Sequence, residues 1–505
     1  MTLTSRILGF LRDAVIASFF GADAATDAFF VAFRIPNFLR RLFAEGSFSQ
    51  AFVPVLTSYK ESSTQQSLHA FLSRLAGSLA AVLAAATSVG ILAAPLLVLC
   101  FAPGFARNGE LFMLSTDMVR ITFPYLFLIT LTAFAAAILN TYRRFAVPAF
   151  TPVFLNLTMI AAAIWMAPFF PQPIYALAWG VLIAGLIQLA FQLPFLARLK
   201  MLPRLHWGFR DPGVRRVIKL LGPAVVGVSV TQVNVLLNTL IASFLGSGSV
   251  SWLYYSDRVV EFPVGIFGVA IGTVMLPHLA RSHAHDDPTG FSRSLDSALR
   301  GIFLVALPAT VGLALLAKPM LCSLFQYRHF SAYDAEMTSR SLITYSSGLI
   351  GFVAARILMS GFTARHDYRT PFRFSLYAII INLAMSVALV YLASPFGWGH
   401  AALALSTAIA GLANAGLLLA GLLRAGIYCP SAGWGLFLAR VAGASCVMGS
   451  LLVQINPGDG IWQAWQPSQR IGHLTLFIAA GMTVYAGSLL LSGLRPAHLM
   501  AQRAL

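Results

Sequence analysis

Ile16-Ala17-Ser18-Phe19-Phe20-Gly21 returns as Ile241-Ala242-Ser243-Phe244-Leu245-Gly246, a displacement of 225 residues, and Phe29-Phe30 answers to Tyr254-Tyr255 at the same displacement. Other matches keep nearly that offset: Pro95 with Pro319 at 224, Pro148 with Pro371 at 223, and Asn156-Leu157 with Asn382-Leu383 at 226. Ala176-Leu177-Ala178 and Ile183-Ala184-Gly185-Leu186 recur as Ala402-Leu403-Ala404 and Ile409-Ala410-Gly411-Leu412, again at 226. A near-constant offset over sites this widely spread marks an internal duplication.

The duplicated material is lipid-soluble. The chain has 505 residues, 58% of them hydrophobic and only 10% charged, with a mean hydropathy of +0.78. That composition excludes a soluble globular protein and places the chain among polytopic membrane proteins. A window of about 20 residues finds about fourteen apolar segments, at 4–20, 25–58, 70–101, 111–141, 148–168, 174–197, 217–245, 249–280, 295–325, 335–362, 371–393, 400–423, 434–454 and 471–494. Each repeat holds six spans, an even number, so the two halves share one orientation and are related by an axis along the membrane normal. The fold class read from the sequence is all-α polytopic, with two parallel six-helix lobes around a central cavity and two accessory C-terminal helices. The boundaries are 1–205 for the first lobe, 206–428 for the second and 429–505 for the accessory pair.

Charge sets the orientation. The net charge is +17, and the basic residues fall in alternate connections. They are Lys60; Arg143 and Arg144; Arg198, Lys200, Arg204, Arg210, Arg215 and Arg216; Arg281 and Arg293; Arg365 and Arg369; and Arg424. The turns at 21–24, 169–173, 246–248 and 394–399 carry no Lys or Arg, and 102–110 and 326–334 carry single arginines, Arg107 and Arg328. The positive-inside rule puts the basic loops and both termini in the cytoplasm. It also explains the positive charge without nucleic acid. Cys100, Cys322, Cys429 and Cys446 are too far apart for a metal or redox motif and read as packing residues. The stretch after Met1 is interrupted by Arg6, Arg12 and Asp13, unlike a cleaved signal.

Against this apolar background, Arg6, Arg12, Arg40 and Arg41 stand with Asp13, Asp27 and Glu45 inside the first fifty residues. A charge near the bilayer centre costs at least about 2.5 kcal/mol, so such a cluster belongs around a polar cavity. The second repeat keeps a tighter group, Asp257, Arg258 and Glu261. Arg6 and Asp13 are nearly aligned on one helix face, Arg41 and Glu45 are at i,i+4, and Arg258 and Glu261 at i,i+3, so some acids serve as neutralising neighbours. Pro36 kinks the second span and frees a carbonyl beside Asn37. Planar guanidinium groups facing one cavity suit a phosphate or diphosphate through paired charge-assisted hydrogen bonds. Ser5 and Asn37 complete the substrate-binding set with Arg6, Arg12, Arg40 and Arg258. Lys318 reads as an interfacial anchor, and Asp117, Arg120 and Arg356 as further lining or pairing candidates.

The motifs that carry these charges resemble a known family. They are Ser5-Arg6-Ile7-Leu8-Gly9-Phe10-Leu11-Arg12-Asp13, then Ala25-Thr26-Asp27-Ala28-Phe29-Phe30, Pro36-Asn37-Phe38-Leu39-Arg40-Arg41-Leu42-Phe43-Ala44-Glu45-Gly46, and Ser249-Val250-Ser251-Trp252-Leu253-Tyr254-Tyr255-Ser256-Asp257-Arg258 with Glu261. They are similar to those of the MurJ (MviN) lipid II flippases, within the multidrug/oligosaccharidyl-lipid/polysaccharide exporter superfamily. The resemblance implies fourteen helices and a flippase that moves the lipid-linked peptidoglycan precursor lipid II from the cytoplasmic to the periplasmic leaflet of the bacterial inner membrane by alternating access. It implies that the arginines matching Arg6, Arg12, Arg40 and Arg258 are the essential cavity cations, and that the last two helices form a groove for the polyprenyl tail. It makes the cell-wall synthesis machinery the expected protein partner.

No covalent chemistry and no cofactor are expected, since no Ser-His-Asp, paired-carboxylate, metal-spacing or nucleotide-loop pattern is placed to catalyse anything. Coupling to the membrane potential or to a monovalent cation is the expected source of energy, with Asn382 and Thr407 as neutral cation ligands. The other readings are an exporter of a different polyprenyl-diphosphate-linked glycan and a cation-coupled drug exporter of the same superfamily. The arginine excess disfavours the drug exporter.

Overall fold

The computed structural model describes residues 2–42, 47–62, 64–285 and 287–494, and every regular element among them is helical. In chain order the first eleven α-helices are α1 (Thr2–Phe20), α2 (Ala24–Arg40), α3 (Ser47–Ser62), α4 (Gln65–Leu92), α5 (Ala94–Phe101), α6 (Gly109–Thr122), α7 (Tyr125–Thr141), α8 (Ala146–Ala161), α9 (Tyr175–Arg198), α10 (Pro212–Ala242) and α11 (Ser249–Ala284). They are followed by α12 (Pro288–Leu315), α13 (Ala317–Leu324), α14 (Ala332–Ser346), α15 (Leu349–Thr363), α16 (Arg369–Ala393), α17 (Gly399–Arg424), α18 (Trp434–Ile455), α19 (Asp459–Ala464) and α20 (Pro467–Leu491). Among the described residues nine helices are long and apolar enough to cross a membrane, or ten with the bent pair α14 and α15 counted as one span. The charged α1 is not among them.

The duplication is written into the helix boundaries. Starts at 24, 65, 109, 146 and 175 recur at 249, 288, 332, 369 and 399, offsets of 225, 223, 223, 223 and 224. Breaks recur too. The helix that begins as α4 is interrupted at Ala93, before Pro95, and its counterpart α12 is interrupted at Leu316, before Pro319. Proline cannot donate to the preceding turn, so each break follows from local sequence. The next span breaks in both repeats, between α6 and α7 at Phe123-Pro124 and between α14 and α15 at Ser347-Gly348, the second with a bend of 42°.

The chain forms two compact units, Met1–Ser251 and Trp252–Leu505. In the first, α1 packs on α8, α2 on α6, α3 on α7 and α10, and α7 and α8 on α9. Phe48, Phe52, Phe71 and Phe134 form its aromatic centre. In the second, α17 packs against α14, α15 and α16. The approach of α15 to α17 is as close as two backbones allow. A Cβ at Gly348 would sit 2.6 Å from the Ala408 Cα, and one at Gly351 would sit 2.7 Å from the Leu412 amide nitrogen. Small residues make such contacts where lipid leaves little hydrophobic drive for helix association.

The accessory helices α18 and α20 pack on each other and on α12, and polar bolts hold both ends. At one end the buried Asp296 of α12 accepts from the Tyr428 hydroxyl at 2.7 Å, from the Trp434 indole at 2.6 Å and from Arg300 at 3.0 Å. Ser431 also donates to it through its backbone and its hydroxyl. At the other end Arg470 of α20 donates to the backbone carbonyls of Cys322, Gln326, Gln463 and Trp465 at 2.8–3.2 Å. Lys318 bridges Glu336 at 2.6 Å and Asp459 at 2.5 Å, so the anchor expected there is an ion-pair junction between α13, α14 and α19. Replacing Asp296 by Ala should leave Arg300 without its carboxylate and cost about 3–5 kcal/mol. Thermal unfolding in detergent, with proteolysis of the 425–433 connection, measures the loss.

Candidate functional site

In the first unit the site begins at α1, where Gly9 offers the polar end of Asn156 a flat place to lie. The Asn156 amide atoms sit 3.8 Å from where a Gly9 Cβ would be. Asn156 Oδ1 accepts from Arg12 at 3.2 Å, and its Nδ2 donates to the Ser5 carbonyl at 3.2 Å. Arg12 gives Nε and one terminal nitrogen to Asp13 Oδ1 at 2.9 and 2.6 Å. Its guanidinium carbon lies 6.0 Å from the Phe33 ring centroid. Arg12 is 3% exposed and Asp13 fully enclosed. The cation is thus desolvated, paired and aimed by an amide from another helix. Alignment on the helix face suggests Arg6 as a partner for Asp13, but the acid takes Arg12, its neighbour in sequence, while the Arg6 side chain is exposed.

Helix α2 carries the next group. Pro36 lacks an N–H, so the Ala32 carbonyl one turn back has no helical donor. Thr122 of α6 supplies its hydroxyl at 3.2 Å. Beyond the proline, Asn37 Nδ2 donates to the Phe33 carbonyl at 2.9 Å, and Asn37 Oδ1 accepts from Arg40 Nε at 3.1 Å. Asn37 therefore orients an arginine. Arg41 reaches Gln232 of α10 at 3.4 Å. Glu45 lies outside the described residues.

Asp27 does something the sequence does not suggest. Its Oδ2 accepts from the Gly248 amide at 2.7 Å, and its Oδ1 accepts from the Ser251 amide at 2.8 Å and the Ser251 hydroxyl at 2.6 Å. Those donors belong to the first turn of α11 and the residue before it, so α2 supplies an N-cap to another helix. A carboxylate there satisfies orphan amides and faces the positive end of the helix dipole.

In the second unit Arg258 of α11 donates to Glu261 at 2.8 Å and to the Tyr254 hydroxyl at 3.5 Å, with its guanidinium 5.5 Å from the Tyr254 ring centroid. The i,i+3 pair expected from spacing is present. It is half-exposed, unlike the Arg12 pair. Asp257 lies exposed beside it. Upstream on the same helix, Trp252 donates to Asp334 at 3.0 Å and packs 4.9 Å from the His400 ring, whose Nε2 is 2.9 Å from the Met337 carbonyl. Trp252 belongs to the motif quoted above, whereas Asp334 and His400, the groups it joins, do not. Their one signal was the capping box at Ser331 and Asp334. Asp117 and Arg120 pair with each other at 3.0 Å, and Arg356 is exposed. Asn382 is buried with Ser386 and Ser406, whose hydroxyls are 2.7 Å apart, while Thr407 donates to the Leu403 carbonyl at 3.0 Å.

Apolar helices broken at matching places in both repeats, with the Arg12 charge enclosed among them, define a multi-pass helical membrane protein. The chain shares its fold with the solved "inward-facing conformation of a multidrug resistance MATE family transporter of the MOP superfamily". The TM-score is 0.64 at 14% identity, over 84% of this chain and 95% of that one. The structure of "Lipid II flippase MurJ, inward closed conformation" superimposes with a TM-score of 0.81 at 24% identity, over 100% and 98% of the two chains. The family model described as "Lipid II flippase MurJ" matches residues 16–469. The "Probable lipid II flippase MurJ" of Vibrio cholerae is 43% identical over 99% of this chain and 96% of its own length. The "Lipid II flippase MurJ" of Burkholderia cenocepacia is 41% identical over 98% and 96%. The chain belongs to the MurJ lipid II flippase family.

Arg12→Ala should strand the enclosed Asp13 charge and lower stability by about 3–5 kcal/mol. Asn156→Ala should cost about 1–3 kcal/mol through the unmet hydrogen bonds of Arg12 and the Ser5 carbonyl. Thermal unfolding of the two variants in one detergent tests the ranking.

Proposed function

We propose that this protein translocates lipid II from the cytoplasmic to the periplasmic leaflet, without covalent chemistry, by alternating access between lobes at 1–205 and 206–428. The observation that carries the reading is the family match over residues 16–469, joined to arginines at 12 and 258 that are each held by a carboxylate. A diphosphate competes for a guanidinium in the terms a carboxylate does, through two parallel charge-assisted hydrogen bonds. Binding exchanges Asp13 and Glu261 for phosphate oxygens. Arg6 and Arg40, with Ser5 and Asn37, complete the cationic lining. The charge-bearing segments α1, α2 with α3, α10 and α11 bring the spans to fourteen, and the accessory helices at 429–505 hold the polyprenyl tail. Both termini and the basic loops face the cytoplasm of the inner membrane, and the cell-wall synthesis machinery receives the product.

Energy comes from the membrane potential or a monovalent cation. A potential negative inside favours outward passage of an anion by about 2.3 kcal/mol per charge per 100 mV.

The half-exposed Arg258 pair makes Arg258→Ala the cleaner probe, because an exposed ion pair contributes about 0–1 kcal/mol to stability. In proteoliposomes the variant should insert and unfold like the parent yet fail to move lipid II across the bilayer. Full transport would contradict the assignment. Arg12→Lys, which keeps the charge and loses the fork, should transport poorly. Collapsing the potential with valinomycin and potassium should slow translocation, and an unchanged rate would remove the potential from the mechanism.

A further inference from the structure

The connection between α9 and α10 is an extended strap laid along α4. The Arg204 amide donates to Ser73 Oγ at 3.1 Å, the His206 amide to the Ser73 carbonyl at 3.2 Å, and the Gly208 amide to Ser78 Oγ at 3.1 Å. His69 Nε2 lies 3.0 Å from the Leu202 carbonyl. The seat leaves no slack. A Cβ at Gly77 would fall 2.2 Å from the His206 carbonyl oxygen, and one at Gly208 would fall 2.4 Å from the Arg74 Cβ.

What this pinned strap displays is unusual. Leu205 is 69% exposed and Trp207 75%, with Phe209 edge-on to Trp207 at 4.9 Å. Around them stand Arg198, Lys200, Arg204, Arg210, Arg215, Arg216 and Lys219, seven basic residues against the single acid Asp211. That acid is already bound to Arg74 at 2.8 Å. Depth is consistent with a membrane boundary. From Ser78 to the end of α5 the helices rise roughly 35 Å if straight, shortened by the break at Ala93, which is about one hydrocarbon thickness of ~30 Å.

We propose that residues 202–210, with the basic residues flanking them, form a binding surface for anionic phospholipids of the cytoplasmic leaflet. Trp207 and Leu205 enter the interface, and the arginines hold lipid phosphates. A rigid strap that presents indole and aliphatic side chains amid uncompensated cations matches the chemistry of that surface, where tryptophan favours the headgroup level and basic residues meet negative charge. The inference rests on the basic loops being cytoplasmic and not on the identity of the transported lipid.

The test uses the full chain in phosphatidylcholine vesicles, with and without phosphatidylglycerol, all carrying brominated acyl chains. Quenching due to Trp207 is taken as the difference between wild type and Trp207→Phe. The expected result is a Trp207 component that grows with phosphatidylglycerol and fades with added salt. Each of Arg204→Gln, Arg210→Gln, Arg215→Gln and Arg216→Gln should reduce the phosphatidylglycerol preference by up to about fivefold, the Boltzmann equivalent of ~1 kcal/mol per charge at the surface. The salt titration needs only wild type and Trp207→Phe, so it stands even where an arginine variant fails to fold. A Trp207 component that is absent, or equal in neutral and anionic vesicles, overturns the proposal. So does its loss on adding inorganic pyrophosphate at constant ionic strength, which would mark a diphosphate pocket. Because the readout is lipid charge and not translocation, failure here leaves the transport reading untouched, and failure of transport leaves this one standing.

Discussion

Hydrocarbon offers no hydrogen-bonding partner, so each charge or freed backbone group at lipid depth has to be met by another part of the same chain. That constraint organises the described structure. The carbonyl released by Pro36 is met by Thr122, and the amides that open α11 are met by Asp27. The Arg470 guanidinium is surrounded by main-chain carbonyls, and Arg12 is shared between Asp13 and Asn156. Most of these pairings join segments far apart in sequence; those of Arg12 with Asp13 and of Arg470 with Gln463 are local. In water the same contacts would contribute little; in lipid their absence is what costs free energy.

The same economy separates two kinds of arginine. Arg12 is enclosed, so its release from Asp13 is expensive unless an equally good anion replaces the carboxylate. Arg258 keeps its acid partner at a half-exposed position, where exchange costs little. The breaks between α4 and α5, α6 and α7, α12 and α13, and α14 and α15 recur at matching places in the two repeats.

Much of this was legible from residue order. Hydropathy and the duplication are read from residue order, and each apolar segment is helical, but the segments at 25–58, 70–101, 111–141, 295–325 and 335–362 each divide into two helices. The i,i+3 pair of Arg258 and Glu261 follows from helix geometry alone. The partner of Asp13 does not. Alignment on a helix face favours Arg6, yet Arg12 can fold back onto the adjacent acid because Asn156 occupies the space over Gly9 and holds the guanidinium there. Asn156 itself was visible only as a repeat marker matched to Asn382. Asp334 and His400 carry no local mark that joins them to Trp252, which packs against both.

The sequence by itself determined that the chain is helical, membrane-embedded, duplicated and cationic, because each of these is a sum over local composition and period. Only the tertiary structure decided which polar groups satisfy which. Asp27 became a cap for a helix more than two hundred residues away, and the strap at 202–210 was set against Ser73 and Ser78. The reason is physical. A buried polar atom is indifferent to where in the chain its partner lies and is bound only by distance and angle, which no local pattern encodes.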